Sequence, residues 1–526
     1  MPQRKQGFDT GRSAFLVGAG ILLSRIAGLI RERVFAHYFG NSDAADAFKA
    51  AFRIPNLLQN LFGEGVLSAS FIPVYANLIA RGEKREAGRV AGAIAALLAL
   101  VVSLLVLLGI LFTPDLIDVI TPGFHGEKRA LSIRLVQILF PGAGLLALSA
   151  WCLGILNSHR RFFLSYAAPI VWNLAIIVSL LLFGGRRDPA GLAQAVAWGS
   201  VVGSALQFGV QLPRALGLVK QLRIALRLTS RNVRTILRNF LPVLIGRGVV
   251  QISAYVDTLL ASLLPTGAVA ALSYAQTLYV LPVSLFGMSV SAAELPAMAS
   301  AQGALQAIAE HLRDRLNRGL RRIAFFVIPS AMAFVALGDV IAAAIYQTGR
   351  FTRSDAVYVW GVLAGSAIGL LASTLGRLYA SAYYALQDTR TPVYYGLLRV
   401  FLAAALGYLF AVELPGLLGI KARWGVAGIT TAAGIASCLE FLLLRRGLNR
   451  QIGHTGLGWG YIFKLWTTAA VAAEVGWAIK LALGGAHPIL EAVWVLGAYG
   501  LLYFTIMGMW KLPEAQAIIK RFSWLR

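Results

Sequence analysis

Charged side chains stand inside one apolar stretch, residues 24–73, among them Arg25, Arg31, Arg33, Lys49, Arg53 and Glu64. A charge at the middle of a lone membrane helix costs at least about 2.5–3.5 kcal/mol. Several such charges on two neighbouring helices are therefore expected to line a wet, cationic cavity inside a bundle rather than to face lipid. The chemistry on offer there is replacement of an anion's hydration by guanidinium groups.

Spacing sorts these residues. Arg25 lies about halfway along the first apolar segment, and Arg25 and Glu32, seven apart, share a helix face that passes close to Gly28. Arg31 lies about 120° away from Arg25 on an ideal helix. Arg33 is expected to snorkel to the outer headgroups. The second segment adds Asp46, Lys49, Arg53, Asn56 and Glu64. Asp46 is placed to cap that helix. Asn56 follows Pro55, whose ring frees a carbonyl for polar groups to satisfy. Glu64 lies deeper, where balancing an arginine or gating is the expected role. Further along, Arg247 and Asp257 interrupt a seventh apolar segment. They are ten residues apart, about 15 Å along a helix, so they sit at different depths. Glu294, Arg377, Arg399 and Glu440 are the remaining intramembrane charges considered. Arg399 is read as a cavity residue, and Glu440 is expected to pair with Arg445 or Arg446.

The elements that hold these residues are membrane spans. The 526 residues are 58% hydrophobic and 13% charged, with a mean hydropathy of +0.70. Soluble domains of this size rarely carry so few charges. A span needs about 20 mainly apolar residues, and many windows qualify. The pattern predicts an all-α polytopic membrane protein with about fourteen transmembrane helices. The expected organisation is an N-terminal lobe of six spans over 1–212, a basic amphipathic connector over 213–238, a second six-span lobe over 239–450, and two further spans with a basic tail over 451–526. The second span (45–80) and the eighth (268–300) are long and contain prolines, so kinks are expected. The basic run 311–322 is read as a return to the side of the earlier basic loops. A weak internal repeat relates Leu61, Phe62, Gly63 and Pro73 to Leu285, Phe286, Gly287 and Pro296. Broken helices in repeated lobes are a common transporter plan.

The net charge of +25 resides in loops between apolar runs. It is read as the positive-inside bias and contact with anionic lipid, not as a nucleic-acid surface. The loop charges put both termini in the cytoplasm, and no cleavable signal is expected from the polar residues 1–12. Two isolated cysteines, Cys152 and Cys438, imply neither a zinc site nor a disulfide framework. There is no HExxH, Walker loop, GxSxG or CxxC pattern. Neither an enzyme nor a cofactor is expected.

The stretch SRIAGLIRERVFAHYFG…DAF…FRIPNLLQNLFGEGVLSASFIP resembles the signature of the MurJ/MviN family of lipid II flippases, in the multidrug/oligosaccharidyl-lipid/polysaccharide exporter superfamily. Matching positions continue with Pro141, Leu156, Asn157, Ala168, Pro169 and Asn173. Gln251–Ser253, Gly349–Thr352 and the QDTRTP run ending at Pro392 extend the likeness over nearly the whole chain. The resemblance implies two six-helix lobes in a V, a central cationic cavity, alternating access, and a tail groove formed by the last two helices. It implies undecaprenyl-pyrophosphoryl-MurNAc-pentapeptide-GlcNAc as substrate, moved to the outer leaflet of the bacterial inner membrane. Membrane lipids and cell-wall synthesis proteins are the other partners it suggests.

The resemblance makes Arg25, Arg31 and Asn56 substrate-binding candidates, and their place among the intramembrane charges adds Arg53 and Arg247. Glu32, Asp46 and Glu64 are candidates for gating or charge balance. Asp257 and Asp388 are candidates for coupling to a monovalent cation or the membrane potential, although Asp388 also suits a turn cap before Pro392. Two positions depart from the family pattern. Gln59 and Asn60 stand where arginine is frequent, and Ala275, Gln276 and Thr277 stand where the eighth helix usually has Ala-Asp-Arg. Arg247 is the expected replacement for the missing arginine. The readings weighed against this one are a cation-coupled multidrug exporter, a flippase for another polyprenyl-pyrophosphate glycan, and a non-transporting scaffold.

Overall fold

A computed structural model describes residues 3–62, 64–219, 221–223, 230–299 and 305–516, with side chains except those of 3–19, 64–65, 241–243, 245–250 and 305. The chain divides into two compact units, 1–259 and 260–526. Among the described residues there is no β-strand beyond an isolated bridge between Thr348 and Phe351.

The first unit contains α1 (Gln3–Phe39), α2 (Asp43–Phe62), α3 (Glu64–Ala80), α4 (Lys84–Leu111), α5 (Thr113–Ile120), α6 (Gly126–Ser158), α7 (Phe162–Phe183), α8 (Pro189–Leu218) and most of α9 (Arg231–Ser262). α6 is its hub, with 78% of its apolar window buried. Leu67, Phe71 and Tyr75 of α3, Val90 and Ile94 of α4, and Trp151 and Ile155 of α6 form one buried cluster. Lipid supplies no hydrophobic drive for such packing, so close fit and interhelical hydrogen bonds hold it. The Trp151 indole N–H accordingly donates to the Ala91 carbonyl at 3.1 Å.

The second unit contains α10 (Ala268–Pro282), α11 (Ser289–Ala299), α12 (Leu305–Ala336), α13 (Gly338–Tyr346), α14 (Arg353–Ala385), α15 (Arg390–Tyr408), α16 (Leu414–Leu417), α17 (Gly425–Ile452), α18 (Trp459–Leu483) and α19 (Pro488–Met509). The break expected at Pro282 is a π-helical segment, Val283–Met288, between α10 and α11. A proline removes one backbone N–H, and a single wide turn absorbs the loss. α14 and α17 touch backbone to backbone: a Cβ on Gly369 would collide with the Gly434 Cα. The α18–α19 hairpin packs on α12 and α13 through Leu465, Ala472, Val495 and Tyr503.

Twelve helices among the described residues are long and apolar enough to cross a bilayer. The first and seventh of the fourteen expected spans fall on α1 and α9, whose side chains are described only in part. Several boundaries move. Residues 311–322 are not a loop but the middle of α12, which ends at Ala336, and 338–346 form the separate α13. α8 runs through Pro213 to Leu218, into the segment read as a connector, and α9 begins at Arg231. The basic character of these runs was legible. That they continue a helix was not, because Lys and Arg are good helix formers in either setting.

Candidate functional site

Glu32 is the buried centre of the charged stretch in the first unit. Its Oε1 accepts from Arg31 Nη2 at 2.8 Å, and its Oε2 accepts from Lys49 Nζ of α2. Glu32 and Arg25 stand on the one helix α1, and the partners of Glu32 are Arg31 and Lys49. Rings hold both cations as well. The Arg31 guanidinium lies 5.1 Å from the Trp172 ring centre and 5.7 Å from that of Phe52, and the Lys49 ammonium lies 4.3 Å from that of Phe35. Cation–π contacts are strongest where the cation is desolvated. Two cations against one carboxylate leave this triad with a single positive charge.

Arg53 is turned towards α9. Its Nη1 donates to the Ala254 carbonyl at 2.9 Å and to the Thr258 hydroxyl, while the Tyr255 hydroxyl donates to the Arg53 carbonyl at 2.9 Å. Asp257, one of the two cation-coupling candidates, is an electrostatic partner of Arg53. These residues lie about 200 positions apart in sequence, and periodicity within one helix gave no sign of the contact.

Asp46 is buried and paired with Lys128 at the start of α6, at 2.6 Å; Lys128 also meets Asp43 at 2.9 Å. Ser42 caps α2 as well: its hydroxyl accepts from the Ala45 N–H at 3.3 Å. Asn56 is half-buried on α2. The side chains of Glu64 and Arg247 lie outside the described residues.

Arg25 is different. It forms no ion pair among the described residues, and it lines a cavity of about 200 Å³ within the first unit. Ser24, Gln59, Ser149, Ser165, Tyr166 and Gln207 contribute the other polar groups, and no carboxylate lines it. Gln59, one of the two departures from the expected arginine, therefore shares a cavity with Arg25. Arg25 and the Arg31–Glu32–Lys49 triad give α1 and α2 a net positive character without a neutralising acid in the cavity.

Asp388 lies in the turn before α15. Its Oδ1 accepts from the N–H groups of Arg390 and Thr391, both at 3.0 Å, and its Oδ2 accepts from the Thr391 hydroxyl at 2.6 Å. These hydrogen bonds, that of the Thr391 hydroxyl foremost, hold its carboxyl below the usual range. The turn-cap reading of Asp388 is the one the geometry displays.

Three ionic contacts in the second unit depart from expectation or were not anticipated. Glu440 pairs with Arg399 at 3.3 Å, not with Arg445 or Arg446, because α15 and α17 pack side by side; Arg445 donates instead to the Thr455 carbonyl at 3.1 Å. Glu294 meets Arg315 at 3.6 Å. Asp339 of α13 is buried between Arg353 at 2.9 Å and Lys480 at 2.7 Å, which ties α18 to the lobe. No cluster of three or more metal-ligating side chains occurs among the described residues.

The profile of the family described as "Lipid II flippase MurJ" matches residues 35–501. The lipid II flippase MurJ of Burkholderia cenocepacia is 31% identical over 458 residues, 85% of this chain and 86% of its own length. A solved structure of a lipid II flippase MurJ in an inward closed conformation superposes with a TM-score of 0.78 at 24% identity, covering 94% of this chain and 98% of that one. An inward-facing multidrug resistance MATE family transporter of the MOP superfamily gives 0.66 at 16% identity, covering 81% and 95%. The two structures bear on the fold, and they agree with the helix order above. With the profile running from α1 to α19, and with the charged motif of α1 and α2 inside the first lobe, the chain belongs to the lipid II flippase MurJ family.

Proposed function

We propose that this chain is a multi-pass protein of the bacterial inner membrane that moves lipid II from the cytoplasmic to the outer leaflet by alternating access. The observation that carries this reading is Arg25, an arginine without an ion pair among the described residues, lining a polar cavity that holds no acid. A pyrophosphate cannot enter hydrocarbon bare. A guanidinium binds its oxygens bidentately and remains charged at any physiological pH. The polyprenyl tail stays in lipid, so only the head group needs a polar path.

Arg25 is the primary substrate contact in this account. Arg31 contributes the residual charge of the triad, Asn56 is assigned to the head-group path by resemblance, and Arg247 is proposed as the replacement for the arginine missing from the eighth span. Glu32 and Asp46 balance cations, and Glu64 keeps its proposed gating role. Both termini lie in the cytoplasm. An inside-negative potential favours outward movement of an anion by about 2.3 kcal/mol per charge per 100 mV, which is the correct sign for export without a cofactor. If a monovalent cation is coupled, Asp257 is the better candidate, because Asp388 already uses both oxygens in a cap. A multidrug exporter for cationic drugs is disfavoured by the sign of the cavity.

The test is complementation. A bacterial host depleted of its own lipid II flippase receives this chain at normal membrane abundance. Restored growth and cell-wall synthesis are expected. Lysis despite full abundance would contradict lipid II transport.

A further inference from the structure

The cavity beside Arg25 has a second wall that charge does not explain. On α6 and α8, inside otherwise apolar sequence, Ser149, Gln207 and Gln211 form a chain of hydrogen bonds. The Gln207 Nε2 donates to the Ser149 hydroxyl at 3.2 Å, and that hydroxyl donates to Gln211 Oε1 at 2.5 Å. All three are buried, Gln211 completely, and Gln211 Nε2 has no hydrogen-bond partner among the described residues. Ser149 and Gln207 line the cavity; Gln211 stands behind them. Polar side chains at membrane depth are rare and mark ligand pathways when they face a cavity. A chain needed only to join two helices would not also require an amide at the cavity wall.

Resting on the reading above, we infer that this pocket is a sugar subsite: Gln207 and Ser149 read the amide and hydroxyl groups of the sugar bonded directly to the diphosphate. Three observations carry it. The first is adjacency. Arg25 is exposed while lining the same cavity, so a diphosphate held at Arg25 places the sugar on its terminal oxygen against the remaining wall. The second is chemistry. Apart from Arg25, the polar lining is hydroxyl and carboxamide, which is neutral and both donates and accepts. It suits an acetamido sugar and gives a second phosphate no further charge. The third is size. At about 30 Å³ per water, a cavity of about 200 Å³ has room for about seven waters, the scale of one sugar ring. The rest of the head group therefore lies outside it. Gln207 is held in one orientation by Ser149, and Ser149 by Gln211, so the set presents its cavity-side atoms without searching rotamers.

The experiment uses the purified full chain and two probes, lipid II and undecaprenyl diphosphate, which share tail and diphosphate and differ by the sugar and peptide. Binding is measured for wild type, Gln207→Leu and Ser149→Ala. The expected result is that wild type prefers lipid II, and that each variant weakens lipid II at least tenfold while undecaprenyl diphosphate stays within twofold. Ser149→Ala removes a single oxygen and keeps the test available if Gln207→Leu fails to fold. Equal weakening of both probes, or no weakening of lipid II, in a folded variant overturns the subsite and leaves the chain as helix packing. A wild type that binds both probes equally also overturns the subsite while leaving transport intact. A wild type that binds neither overturns the transport reading and the subsite with it.

Discussion

The hydroxyl of Tyr503 on α19 donates at 2.8 Å to the carbonyl of Phe325 on α12. That carbonyl lies four residues before Pro329, so it is the one whose helical partner the proline ring removes. Tyr499, one turn earlier on α19, donates at 2.7 Å to the carbonyl of Pro329 itself. The terminal hairpin thus mends the helix that the proline opens, and the opened helix positions the hairpin.

Replacing Tyr503 with Phe keeps the ring and removes the donor. The Phe325 carbonyl is then buried without a partner, which costs about 1–3 kcal/mol. Unfolding of the detergent-solubilised protein should shift down accordingly. An unchanged midpoint would mean that the carbonyl finds another donor and that the hairpin is held by apolar packing alone.

Glu32 holds two cations, so Glu32→Gln leaves Arg31 and Lys49 facing each other in a buried site. Breaking a buried pair on one side costs about 3–5 kcal/mol. The double variant Glu32→Gln, Lys49→Met should recover much of that loss, because it removes the second orphaned charge. A double variant no more stable than Glu32→Gln would argue against a compensating triad.

Arg53→Ala should lower stability by about 1.5–3 kcal/mol, the scale of hydrogen bonds from a charged donor. It removes the Arg53 donor from the Ala254 carbonyl and the Thr258 hydroxyl together, leaving only the bond between those two. Lysine, a point charge without the planar fork, should rescue only part of it. If the variant kept its unfolding midpoint but lost lipid II binding, Arg53 would be a substrate group and not a tie to α9.

Asp388 makes the stability of the turn before α15 depend on pH. Its folded carboxyl titrates below its unfolded value because Thr391 and Arg390 donate to the ionised form. Its contribution is therefore complete above the unfolded value of about 3.9 and fades as pH falls through the folded one. Asp388→Ala should cost about 0.5–2 kcal/mol near neutral pH, as for other lost caps. The gap between wild type and variant should close in acid. A gap independent of pH would show that the cap does not rely on the ionised carboxylate.

The membrane class was legible in the sequence because long apolar runs separated by basic loops suit spans in a bilayer and little else. The charged motif of α1 and α2 was equally plain, since charges in such runs are costly wherever they point. The partners were hidden. Glu32 takes Lys49 from the next helix and Arg53 takes α9, and neither choice follows from spacing on one helix. Glu440 was assigned to the arginines nearest in sequence, whereas the α15–α17 contact delivers Arg399. Asp339 and Lys480 lie 141 residues apart and carried no local signal at all. Ser149, Gln207 and Gln211 were visible as polar residues in apolar segments, but they carry no charge, and weighting intramembrane charge passed over them.

The central claim is that Arg25 contacts the diphosphate of lipid II. Its most direct test is lipid II exposed on the outer leaflet of cells that depend on this chain, comparing wild type, Arg25→Ala and Arg25→Lys at equal membrane abundance. The account predicts that Arg25→Ala abolishes exposure with an unchanged unfolding midpoint, and that Arg25→Lys restores part of it, because lysine keeps the charge and loses the bidentate fork. Full exposure with Arg25→Ala would contradict the account.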